Sequence, residues 1–137
     1  MEPRLNGIRV LVVDDEPCIR QVVTDILEQG GATVSAVGSA EEALQALQLE
    51  RPSVLLSDLS MPGKGGYWLI GQVRALPPER GGTTPAAAFS ASAGPEHHAS
   101  ALRAGFQHHL AKPASIAELV GVVAALAGVR DGRSLHA

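Results

Sequence analysis

Cysteine occurs once in this chain, at Cys18, so no disulfide can form within it. Its acidic neighbours Asp14, Asp15 and Glu16 disfavour a thiolate, which makes it a reduced structural thiol rather than a reactive one. No apolar run approaches the roughly 18 residues that a membrane span needs. No charged-then-apolar leader opens the sequence, and with the single cysteine this sets the expectation of a cytoplasmic protein. Basic clusters are also missing, and the formal net charge is -3. The chain therefore carries no electrostatic footprint for nucleic acid, and neither a nucleic acid nor a membrane is expected as a direct partner. Internal repeats and low-complexity tracts are absent too.

What is present fits one domain of ordinary size. The chain has 137 residues, 45% of them hydrophobic and 18% charged, enough for a single sizeable core and too apolar for wholesale disorder. Ile8 to Val13 is short and rich in β-branched residues and reads as a central strand. It ends in Asp14-Asp15-Glu16, and Pro17 suits the first turn of a helix. Ile19, Val22, Val23, Ile26 and Leu27 follow at helical spacing and are expected to face inward until Gly30-Gly31. Ala32 to Val37 is a second strand. Ser39 and Glu42 form a capping-box signature for a helix that buries Ala43, Leu44 and Leu47 and stops before Pro52.

Val54 to Asp58 is a continuous apolar or small run, the pattern of a strand buried on both faces. Asp58 stands at its carboxyl end, ahead of a loop shaped by Met61-Pro62 and by Gly63, Gly65 and Gly66. A carboxylate held there is a candidate nucleophile or metal ligand, or simply a polar residue that ends a strand. Tyr67 to Leu76 is a third helix, with Leu69, Ile70, Val73 and Leu76 inward. The Pro/Gly-rich stretch Pro77 to Thr84 is long for such a connection and is the expected site of disorder. Pro85 to Ala91 is a fourth strand ending in Ser90, and Pro95 to Ala104 a helix capped by Gly105. Gln107 to Ala111 is a fifth strand running into Lys112-Pro113. Ser115 and Glu118 cap a last helix with Ile116, Leu119, Val120, Val123 and Leu126 along one face.

Five strands alternating with five helices imply βαβ units, an α/β fold with a doubly wound parallel sheet. In the order 2-1-3-4-5 the first and third strands lie together at the topological switch point, where ligands bind at the carboxyl ends. Asp14, Asp15 and Asp58 then share one crevice, with Ser90 and Lys112 at the ends of the next two strands. Three carboxylates within a few ångströms repel by about 4 kcal/mol per close pair at an effective dielectric of about 20, so such a cluster holds protons or a hard cation. Oxygen donors with room for water suit Mg²⁺. Metal, lysine and hydroxyl together would stabilise the equatorial oxygens of a phosphoryl group passing to Asp58.

At these residues the chain resembles the receiver domains of two-component response regulators. The resemblance rests on Leu-Val-Val-Asp14-Asp15-Glu16, on Asp58-Leu-Ser-Met61-Pro62 followed by Gly66, on Ser90-Ala91 and on Lys112-Pro113, in that order at successive strand ends. It covers residues 7–127, leaving an N-terminal extension at 1–6 and a polar tail at 128–137. It implies the flavodoxin-like receiver fold and a phosphorelay in which Asp58 accepts phosphate from a sensor histidine kinase or phosphotransfer protein. It implies that Asp15, Asp58 and the Ser60 main-chain carbonyl hold Mg²⁺, with Asp14 acting through water. Ser90 and Lys112 would contact the phosphoryl group. Ser90 stands where threonine is more usual, and His109 occupies the place of an aromatic switch residue. Gly65 falls where many members carry aspartate. A downstream effector is expected on the face formed by the fourth helix, fifth strand and fifth helix. Such a domain modifies itself and is not an enzyme with turnover.

The stretches Leu76-Pro77-Pro78-Glu79-Arg80-Gly81-Gly82 and Gly105-Phe106-Gln107-His108-His109-Leu110-Ala111-Lys112-Pro113 are similar to those of receivers at the C-terminus of hybrid sensor kinases. No further output domain fits in the remaining residues, so the expectation is a stand-alone receiver or one belonging to a longer kinase. Two other classes compete. A flavin-binding electron carrier of the same architecture would want a hydroxyl-rich phosphate loop where Asp14-Asp15-Glu16 stands; Tyr67 and Trp68, expected to pack or half-pack on the third helix, leave that reading open. An aspartyl-phosphate phosphatase usually needs two aspartates one residue apart after its first strand, whereas Asp14 and Asp15 are adjacent. Gly63-Lys64-Gly65-Gly66 lacks the spacing of a phosphate loop and reads as a turn. His97-His98 and His108-His109 suggest a metal site, but neighbours on a helix or strand point apart.

Overall fold

The computed structural model of the chain describes residues 5–91, 94–112 and 114–128. Pro113 of the Lys112-Pro113 pair, residues 1–4 of the N-terminal extension and residues 129–137 of the tail lie outside the described residues. The elements run β1 (Arg9–Val13), α1 (Pro17–Gln29), β2 (Thr33–Val37), α2 (Ala40–Glu50), β3 (Val54–Asp58), α3 (Gly66–Arg74), β4 (Ala86–Ser90), α4 (Pro95–Ala104), β5 (His108–Ala111) and α5 (Ile116–Leu126). All strand pairs are parallel, in the order β2-β1-β3-β4-β5. This is the doubly wound α/β sheet that the alternation of strand and helix predicts.

Strand side chains alternate between the two faces, and the sequence supplies apolar residues for both. Val10, Val12, Val54, Leu56, Ala87, Phe89 and Leu110 pack with Val23 and Leu27 of α1 and Leu119 and Val123 of α5. Leu11, Val13, Leu55, Ala86 and Ala88 point the other way, onto Ala43 and Leu47 of α2, Leu69, Ile70 and Val73 of α3, and Ala101 of α4. Leu5, within the 1–6 segment, is fully buried in the first of these layers, its N–H bonded to the Gly30 carbonyl. Among the described residues no helix is long and apolar enough to cross a membrane.

Ser39 caps α2 through a hydrogen bond from the Glu42 N–H, while the Glu42 carboxylate accepts from the Gly38 N–H and the Ser39 hydroxyl rather than from the Ser39 N–H that would close the box. At α5 both halves of the capping box form, between Ser115 and Glu118.

Three expectations fail in instructive ways. Val22 and Ile116, read as inward, are 57% and 63% exposed, because each sits at the margin of an apolar stripe that the sheet does not reach. The third helix ends at Arg74, and Ala75 caps it, so Leu76 lies beyond the helix and only partly packs. The Pro77 to Thr84 connection is not a disordered loop. It holds a short 3-10 turn at Pro78–Arg80, buries Gly81, Gly82 and Thr84, and is tied down by the Arg74 guanidinium, which donates to the carbonyls of Gly82 (3.0 Å) and Thr84 (2.7 Å).

Candidate functional site

The carboxyl ends of β1 and β3 lie side by side, and each delivers an aspartate to the same crevice. Asp14 follows β1 and is 1% exposed; Asp58 closes β3 and is 5% exposed. Asp15 is half-buried beside them, and a carboxylate oxygen from each of the three falls within 4.8 Å of the others. Asp14 and Asp58, 44 positions apart along the chain, thus converge because β1 and β3 pair in register, Val13 opposite Ser57. The loop after β3 turns sharply before the next helix begins at Gly66. Gly66 makes that turn feasible: a Cβ there would lie 2.5 Å from the Asp58 carbonyl oxygen, a distance no side chain tolerates.

Lys112 reaches the cluster from the end of β5. Its Nζ is 3.0 Å from Asp14 Oδ2 and 3.3 Å from Asp58 Oδ1, and it lies 5.3 Å from the centroid of the Phe89 ring. Its own N–H donates to the Ser90 carbonyl at 2.8 Å, which fixes the ends of β4 and β5 together. Ser90 is buried at the end of β4, as the pattern of strand ends predicts. Ser60 is exposed, and its N–H donates to Asp58 Oδ1 at 3.3 Å. His109 is half-buried on β5, opposite Ala88. Cys18 is exposed and free.

The electrostatics leave this site short of positive charge. Burial first, and the neighbouring charge of Asp14 second, push the Asp58 carboxyl above its usual range, against the Lys112 ammonium and the Ser60 N–H, which pull it down. For Lys112, burial alone would lower the ammonium; the hydrogen bond to Asp14 and the charges of Asp58 and Asp14 outweigh it and hold the group above its usual value. One cation among three carboxylates leaves excess negative charge, and every donor that converges is an oxygen. That set suits a hard divalent ion of the Mg²⁺ class.

Sequence reasoning missed Arg20, whose Nη1 donates to the Asp14 main-chain carbonyl at 2.7 Å and so braces the backbone beneath the cluster. It sits on the amphipathic helix α1, where an arginine reads as solvated, and a main-chain acceptor has no sequence signature. Tyr67 and Trp68 do not form a ring platform at the crevice: Tyr67 is exposed, and Trp68 packs against the α2–α3 layer with Lys64 Nζ 5.3 Å from its ring.

Comparison with known proteins agrees with this geometry. The sequence profile described as "Response regulator receiver domain" matches residues 10–124. A 14.6 kDa protein from the sodA1 3′ region of Leptolyngbya boryana is 45% identical over 119 residues, 87% of this chain and 89% of that one. The sensory/regulatory protein RpfC of Xanthomonas campestris pv. campestris is 35% identical over 124 residues, which are 90% of this chain but 17% of RpfC. Among solved structures, the receiver domain of the sensor histidine kinase PA1611 from Pseudomonas aeruginosa superposes with a TM-score of 0.80 at 30% identity, covering 89% of this chain and 98% of that one. That domain carries a magnesium ion in its active site cleft. The flavin-carrier reading receives no support from these matches, and the paired acids after β1 would repel a flavin phosphate.

Proposed function

The chain belongs to the response regulator receiver domain family, and from that premise we propose that Asp58 accepts a phosphoryl group from the phosphohistidine of a sensor kinase or a phosphotransfer protein. Residues 7–127 form the receiver unit, which acts in the cytoplasm. The observation that carries the assignment is the position of Asp58: at the end of β3, within the carboxylate cluster and 3.3 Å from the Lys112 ammonium. In the transfer, a carboxylate oxygen of Asp58 forms the new bond to phosphorus while the phosphorus–nitrogen bond breaks, its electron pair leaving with the imidazole. Asp15, Asp58 and the Ser60 carbonyl would hold Mg²⁺, with Asp14 acting through water. The ion would offset the negative charge that gathers when a phosphoryl group meets three carboxylates.

Lys112 moves from its carboxylate partners to a phosphoryl oxygen, and the Ser90 hydroxyl donates to another. That reaction consumes one phosphoryl group per chain and is self-modification, not turnover of a separate substrate. Ser90, drawn toward the acyl phosphate, and His109 behind it bias the surface of α4, β5 and α5, where an effector reads the state.

Incubation with acetyl phosphate and Mg²⁺ is expected to add one phosphoryl group, seen by intact-mass spectrometry, and Asp58→Asn is expected to take up none. Labelling that persists in Asp58→Asn removes the assignment. Exchange of His109 for tyrosine tests the switch through the lifetime of the phosphate and the affinity for a partner; if neither changes, position 109 has no part in it.

A further inference from the structure

Histidines that diverge as sequence neighbours meet across two elements. His98, in the first turn of α4, and His109, on β5, face each other with ring centroids 6.0 Å apart and planes inclined by 33°. His109 lies opposite Ala88, which packs into the α2–α3–α4 layer, so its ring leaves the sheet on the α4 side. His109 Nε2 is buried and has no hydrogen-bond partner among the described residues. A buried polar atom left that way is under-satisfied, and a ligand that supplies the missing partner relieves that penalty. The two rings, with Gly94, Pro95 and Ala111, line an open cavity of about 320 Å³. Among the described residues no carboxylate or ammonium lines it.

We propose that His98 and His109 form a two-imidazole site for a zinc-class divalent cation, separate from the acidic crevice. At a metal–nitrogen distance of about 2.0–2.1 Å a ring centroid stands about 3.2 Å from the ion, so two ligating rings are at most about 6.4 Å apart. The observed 6.0 Å lies inside that limit, and a small turn of the exposed His98 brings the pair toward a tetrahedral angle. Burial, then the charges of His98 and His97, hold the His109 imidazole below its usual value. At neutral pH the ring is therefore neutral and offers a lone pair, the form a metal binds. Water completes the coordination shell through the open mouth of the cavity. Nitrogen donors here and oxygen donors at Asp14, Asp15 and Asp58 sort the two kinds of ion by chemistry. A bound ion clamps α4 to β5 and so opposes movement of the surface assigned above to the signal; that consequence rests on the proposed function, whereas the binding does not.

The test titrates the untagged full chain with Zn²⁺ by calorimetry in saturating Mg²⁺, so that the acidic crevice is already taken. One Zn²⁺ per chain is expected, with side-chain ¹⁵N signals of His98 and His109 shifting and those of His97 and His108 unmoved. His98→Ala, at an exposed position, and His109→Gln, which keeps the side-chain volume, should each weaken binding by about tenfold or more. His97→Ala should bind as the unaltered chain does. Absence of Zn²⁺ uptake, or uptake that survives the His98→Ala/His109→Gln double substitution, overturns the proposal.

Discussion

Two cations anchor opposite edges of the sheet, and they keep different company. Lys112, at the carboxyl edge, faces Asp14 and Asp58, groups that ionise, repel each other and can change partners. Arg74, where α3 returns to the amino edge, donates to the carbonyls of Gly82, Thr84 and Gly105 and to the Gln107 side chain through five hydrogen bonds. Those acceptors are neutral and held by the chain itself. Burial accordingly lowers the Arg74 guanidinium, with no partner charge to oppose it, whereas the carboxylates raise Lys112. The amino edge is a staple. The carboxyl edge is a set of charges left unbalanced for a third party to complete.

The comparison is most easily broken at the staple. Arg74→Ala strands several main-chain acceptors and frees the 77–84 connection, at a cost of about 3 kcal/mol or more. The melting temperature should fall by roughly 10 °C, with phosphorylation of Asp58 retained in the folded fraction. Arg74→Lys should recover less than half of the loss, because one ammonium cannot reach acceptors on both sides of the planar fork. If Arg74→Ala melts with the unaltered chain, the two edges do not differ as described.

Lys112→Met sharpens the contrast from the other side. The methionine keeps an apolar side chain of similar length and removes the ammonium that lies 5.3 Å from the Phe89 ring centroid, leaving Asp14 and Asp58 to face each other. The expected loss is about 2 kcal/mol, smaller than at Arg74 because Asp58, already held above its usual value, can take up a proton. Mg²⁺ should restore it. For the unaltered chain, Mg²⁺ at about ten times its dissociation constant should add about 1.4 kcal/mol, and Lys112→Met should gain more than that. Arg74→Ala should gain no more than the unaltered chain. Thermal melts with and without Mg²⁺ decide between these outcomes.

The same contrast explains what the sequence made legible. Asp14, Asp15, Asp58 and Ser90 follow β-branched, apolar or small runs and Lys112 follows the short strand His108–Ala111, and a parallel sheet must bring such strand ends to one edge. Arg74 gives no comparable signal, because its partners are main-chain carbonyls that every residue possesses; an arginine in the last turn of a helix reads as solvated. The 77–84 stretch looks disordered in sequence for the same reason, since prolines and glycines report turn geometry and not what holds the turn. His98 and His109 pair only through the packing of α4 on β5, which no local pattern encodes. Val22 and Ile116 mark the limit of helical periodicity, which gives the direction of a stripe and not its width.

The smallest expected effect bears on why the carboxyl edge is left unbalanced. Without Mg²⁺, Asp58→Asn removes one of three clustered charges and also the weaker of the two Lys112 contacts, so its net gain in stability at neutral pH should be on the order of 1 kcal/mol. The gain should depend on pH. Asp58 titrates above its ordinary value of 3.8 in the folded chain, so between that value and its raised one the folded state holds the proton more tightly than the unfolded state does. Stability tied to this group is complete below the ordinary value and is lost as pH rises through the raised one. Asp58→Asn lacks that loss. Its advantage over the unaltered chain should therefore grow as pH rises from the ordinary value of 3.8 through the raised one, and saturating Mg²⁺ should reverse it by favouring the chain that retains the carboxylate. An advantage independent of pH, or one that Mg²⁺ leaves untouched, would mean that Asp58 is held no differently from a surface acid and that the two edges of the sheet are both merely structural.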